Sequence, residues 1–132
     1  MQIQICVVYA RTALWKMRGK SWPNGTAIHY PLQVDSFRRF DVRPVMSNPA
    51  TIRIFTWSVL FVEFAFAGLV WIEEYRYWML VAALCLHFGI ETAFNIQLFS
   101  WVMIACLLLF VDPVDMQALL HLVGVMAPAA AY

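Results

Sequence analysis

Four residues able to do acid–base or hydrogen-bonding chemistry sit inside sequence that is otherwise apolar. Glu63 falls near the middle of the run 54–72, and His87, Glu91 and Asn95 follow at intervals of four in the next apolar stretch. A charge at the centre of a bilayer costs ~2.5–3.5 kcal/mol on insertion scales, so such groups need partners or a task. Residues four apart share a helix face. His87 and Glu91 are therefore expected to touch, with Asn95 prolonging the stripe. A carboxylate beside an imidazole orients the ring, which suits general acid–base work or quinone binding. The same pair serves equally as a structural tie, with Glu91 neutralised by His87 or by a backbone donor. Glu63 reads either as a proton-relay or substrate-positioning carboxylate, or as a buried group satisfied by hydrogen bonds. Lys16, at the end of the first apolar stretch, is a base if desolvated and an interfacial anchor if its amine reaches the headgroups. The paired Glu-x-x-His motif of di-iron bundles is absent, so no metal site is predicted.

Composition fixes where these residues must operate. The chain has 132 residues, about one domain, with 63% hydrophobic and only 13% charged residues. Soluble domains hold ~45–50% and ~25%. An integral membrane protein follows, in contact with a lipid bilayer. A net charge of +1 gives no concentrated basic surface, which argues against a nucleic-acid partner. Cys6, Cys85 and Cys106 have no metal-type spacing and read as buried small apolar side chains. The N-terminus lacks a basic stretch and a small-residue cleavage site before Arg11, so no signal peptide is predicted.

The elements that position the polar residues follow from apolar run lengths. Residues 1–16 form a partial or short helix: fifteen helical residues span ~22 Å, less than a ~30 Å hydrocarbon core. This piece is read as the tail of a longer helix. A polar loop, 17–50, carries Pro23, Pro31, Pro44 and Pro49, which rule out a long regular element. The segment 51–72 is a membrane helix opened by Ser47 or Asn48, and the aromatic and charged cluster 71–78 suits a membrane interface. Residues 77–111 would reach ~52 Å as one helix. They are divided at the polar interruption 91–97 into membrane helices at 77–93 and 97–111, the break covered by protein or water. Asp112 and Pro113 stop the last, and 114–126 forms an interfacial helix on the surface. The predicted fold is a single all-α domain over 1–132: an integral membrane helical bundle of about three spanning helices, flanked by the short N-terminal and C-terminal helices. Lys16, Arg18, Lys20, Arg38, Arg39, Arg43 and Arg53 hold seven of the nine basic residues, so the positive-inside rule puts the loop 17–50 in the cytoplasm.

Tyr9, Arg11, Trp15 and Lys16, followed by the run from Trp22 to Gly25 and by Tyr30, resemble the segment around the essential lysine of vitamin K-dependent γ-carboxylases and their HTTM (horizontally transferred transmembrane) relatives. His87, with Phe99, Ser100 and Trp101 twelve residues on, resembles the family's histidine-containing helix and its sequel. The resemblance implies a helical membrane domain of which this chain is the back portion, because several helices precede the lysine in the family. It further implies Lys16 and His87 as catalytic candidates. In the carboxylases the lysine helps deprotonate a hydroquinone, whose oxygenation yields the base that lets carbon dioxide add to a substrate glutamate.

Two functions follow as expectations. One is a non-catalytic accessory or scaffolding subunit of a larger membrane complex, whose other subunits cover the polar row of Glu63, His87, Glu91 and Asn95. The other is part of a quinone-dependent carboxylase or oxygenase, with a quinone or another lipophilic molecule as its cofactor. The first is preferred, because three or four helices do not readily enclose a quinone-sized site, and this chain alone is not expected to be an enzyme.

Overall fold

Asn48 and Pro49 open the longest apolar helix: the Asn48 side chain accepts a hydrogen bond from Ala50 N at 2.8 Å, and proline suits the first turn, where its missing N–H is not needed. The computed structural model describes residues 1–42, 44, 47–96 and 98–125. Arg43, Val45 and Met46 of the loop, Gln97 at the expected start of the helix 97–111, and residues 126–132, which include the end of the 114–126 piece, lie outside them. In chain order the helices are α1 (Gln2–Arg18), α2 (His29–Leu32), α3 (Pro49–Leu69), α4 (Glu73–Ala93), α5 (Phe99–Leu107) and α6 (Pro113–Leu122). Tight 3-10 turns cover Asp35–Phe37 and Leu108–Phe110. Among the described residues there is no strand, only one antiparallel bridge between Arg38 and Phe94.

α4 starts four residues earlier than apolarity alone suggests, because Glu73 and Glu74 in its first turn complement the helix dipole. At 21 residues each, α3 and α4 reach ~31 Å, about the thickness of a bilayer core. Among the described residues only α3 is both long and apolar enough, taken alone, to cross a membrane. The expected third span is shorter than drawn. Leu98 takes a left-handed backbone (φ 67°), so α5 begins at Phe99; it tightens at Leu108–Phe110 and meets α6 at a bend of 119°. Asp112 and Pro113 make that corner, with Asp112 capping Val114 N at 3.0 Å.

α1 and α3 run antiparallel: Tyr9 stacks on Phe66, ring centroids 4.4 Å apart, while Lys16 further along α1 meets Glu63, earlier in α3. Their inner faces recur at helical spacing, Ile5, Tyr9 and Ala13 against Thr56, Leu60, Glu63 and Phe66. α4 adds Leu80, Ala83, His87 and Glu91. Ala13 and Ala83 are fully buried, and small side chains of this kind let helix backbones approach closely. Large apolar side chains point outward instead, among them Ile54, Trp57 and Phe61 on α3 and Trp78, Val81 and Phe88 on α4. So much exposed apolar surface is what a lipid-facing exterior requires. Cys6 is buried as expected; Cys106 is half-buried and Cys85 is exposed on α4, so burial does not hold for all three cysteines.

The break between α4 and α5 is covered by the polar loop. Arg39 N donates to Ala93 O at 3.3 Å and Asn95 N to Phe37 O at 2.8 Å, so backbone groups freed by the break find partners.

Candidate functional site

α1, α3 and α4 converge on a buried polar cluster. Tyr9 and His87 are each 3% exposed, and the Tyr9 hydroxyl lies 2.7 Å from His87 Nε2. Phe66 packs beneath the tyrosine, and Phe99 meets the imidazole edge-on at 5.9 Å. Lys16 turns inward to bond Glu63 Oε1, and its ammonium sits over the Trp22 ring at 4.6 Å. Arg39 reaches from the loop to Glu91 Oε1 at 2.8 Å. The cluster therefore holds two ion pairs and a tyrosine–histidine pair. Ser100, fully buried at the start of α5, follows Phe99, which meets the imidazole.

Glu63, His87 and Glu91 thus have partners within their own chain, which removes the expectation that their facing groups lie wholly outside it. Each is satisfied on one atom only. Glu63 Oε2, His87 Nδ1, Glu91 Oε2 and Ser100 Oγ are buried with no hydrogen-bond partner among the described residues. Buried polar atoms without partners are uncommon in native proteins. Four such atoms, three of them on the paired residues of the cluster, mark unused capacity to bind.

His87 and Glu91 share the inner face of α4 but do not bond each other. One turn separates them, and the guanidinium of Arg39 offers Glu91 a stronger, charge-assisted bond than a neutral imidazole would. Asn95 leaves the cluster altogether. α4 ends at Ala93, Phe94 is extended, and Asn95 is exposed beyond the helix with its backbone tied to Phe37. The geometry brings together Lys16, Glu63, His87 and Glu91.

Tyr9, Arg39 and Ser100 are the members that residue-by-residue reading of the sequence passes over. Tyr9 had a signal: it lies seven residues, two helical turns, before Lys16, with Ala13 between them on the same inner face. Arg39 had none, since its partner Glu91 lies 52 positions further along the chain.

A family model described as the HTTM domain matches residues 1–114, a span that contains every member of this cluster. Two proteins of Bacillus subtilis (strain 168) are similar to the chain. The uncharacterized protein YitO is 26% identical over 121 residues, covering 87% of this chain and 39% of YitO. The sporulation-delaying protein SdpB is 27% identical over 120 residues, covering 87% of this chain and 37% of SdpB. The chain therefore spans about two fifths of the length of these relatives. No solved structure matches it.

Proposed function

The chain belongs to the HTTM domain family, and from that premise we propose that it is an integral membrane module serving as a non-catalytic accessory or scaffolding subunit of a larger membrane complex. Its single domain would contribute about three membrane helices built on α3, α4 and the bent α5–α6 pair, with the basic loop 17–50 on the cytoplasmic side. One observation carries the proposal: three helices of the chain enclose the cluster, and among the described residues Glu63 Oε2, His87 Nδ1 and Glu91 Oε2 are still buried without partners. A surface from further helices would complete it.

Purification from native membranes in mild detergent tests this. The chain is expected to emerge with other membrane subunits, and Glu91→Gln to weaken that association. Recovery of the wild-type chain as a stable, unaccompanied monomer overturns the scaffold.

A second reading, part of a quinone-dependent carboxylase or oxygenase, is favoured by one geometric fact. Lys16 and His87, the two positions singled out by resemblance, fall in the same cluster with a tyrosine hydroxyl between α1 and α4. In that case Lys16→Ala and His87→Ala abolish a quinone-dependent turnover of the assembled complex while leaving its subunits together. Unchanged turnover in both variants removes this reading.

A further inference from the structure

The Tyr9–His87 contact has a direction that proton accounting can assign. Among the described residues Tyr9 has one polar partner, His87 Nε2 at 2.7 Å, and His87 Nδ1 is buried without any. If Nε2–H donated to the phenol oxygen, two buried groups would be stranded: the tyrosine O–H, with no acceptor, and the Nδ1 lone pair, with no donor. If the tyrosine donates to Nε2, both atoms of the contact are satisfied and only Nδ1–H remains. A buried phenol normally spends its O–H on an acceptor. Phe66 under the tyrosine and Phe99 against the imidazole hold both rings, so neither group can turn to seek another partner.

We propose that Tyr9 is a positioning residue that locks His87 in its Nδ1–H tautomer, so that the histidine presents a hydrogen-bond donor to an acceptor oxygen on whatever completes the site. The acceptor class is a carbonyl or carboxylate oxygen, whether it comes from a lipophilic ligand or from a neighbouring helix. That Nδ1 meets such a group rests on the cluster being an incomplete site, as proposed above. The tautomer itself does not.

The test is nitrogen-15 NMR of ring-labelled histidine in the full chain, held in lipid nanodiscs, with the His87 signals identified as the pair lost in His87→Asn. Wild-type protein should show one neutral tautomer, its protonated nitrogen assigned to Nδ1 by ring coupling. Tyr9→Phe keeps the ring against Phe66 and removes only the hydroxyl. It should shift the Nε2 resonance toward a free acceptor and bring in the second tautomer. Replacing Tyr9 with 3-fluorotyrosine, a more acidic donor of nearly the same shape, should move Nε2 the opposite way and leave Nδ1 in place, which also covers the event that Tyr9→Phe misfolds. An Nε2–H tautomer in the wild type, or an Nε2 resonance indifferent to both replacements, overturns the assignment. To separate the sources of the acceptor, Nδ1 is compared before and after extraction of lipophilic molecules from the purified complex and after removal of co-purifying subunits. The step that shifts Nδ1 names the source. A shift at neither step removes the ligand half of the proposal and the site reading with it, while the tautomer result stands.

Discussion

Lys16 and Glu63 form an asymmetric pair, and the asymmetry can be measured. The Glu63 side chain is 10% exposed and the lysine 24%, so the two respond differently to the loss of the other. Lys16→Met strands a carboxylate among packed helices, a change expected to lower stability by about 3–5 kcal/mol, the range for breaking a buried pair. Glu63→Leu strands a flexible amine that can bend toward water, so the loss should be smaller. The double variant, apolar on both sides, should sit close to the wild type, because two buried charges and their desolvation disappear together. Unfolding in mild detergent reads all three. Simple additivity of the two single losses would show that the pair acts as two independent groups.

At the scale of elements, the loop is fastened to α3 by a turn that only glycine fits. Gly25 adopts φ 71°, and a Cβ there would lie 2.3 Å from Arg53 Cγ and 3.3 Å from its Cα. On either side, Trp57 Nε1 donates to Pro23 O at 3.2 Å and Ile28 N to Thr56 Oγ1 at 3.5 Å. Gly25→Ala combines a left-handed backbone, disfavoured by roughly 1–2 kcal/mol for a residue with a Cβ, with a clash against α3. It should release the loop before it unfolds the helices, seen as faster proteolysis at 17–42 with helical circular dichroism retained. Equal protease resistance in the variant would mean that the turn is not what holds the loop. What was legible in the sequence at this scale was local: Ser47 or Asn48 as a helix start, Asp112–Pro113 as a stop, and the four-residue spacing of His87 and Glu91. Illegible were the left-handed Leu98, which shortens α5 without any glycine to announce it, and Arg39 reaching Glu91. Side-chain pairing across that many residues depends on how helices pack, and no local pattern encodes it.

At the scale of the molecule, the exposed apolar surface belongs in lipid or it does not, and Cys85 reports which. It is exposed on α4, the helix whose length fits a bilayer but which carries more charge than α3. In sealed vesicles a water-soluble maleimide should leave Cys85 unmodified until detergent dissolves the bilayer. Rapid labelling in intact vesicles would take this face of α4 out of the membrane. The buried cluster also has a consequence in time. Lys16 and Glu63 are separated by 47 residues and Tyr9 and His87 by 78. At synthesis rates of ~5–20 residues per second, Lys16 waits roughly 2–9 s for its counter-charge and Tyr9 roughly 4–16 s for its imidazole. For that interval the Lys16 ammonium has no carboxylate to bond, and the contact that fixes α1 against α3 forms only once α3 has been made. Docking of α1 is thereby made conditional on α3, and a ribosome stalled between them would leave Lys16 without its counter-charge.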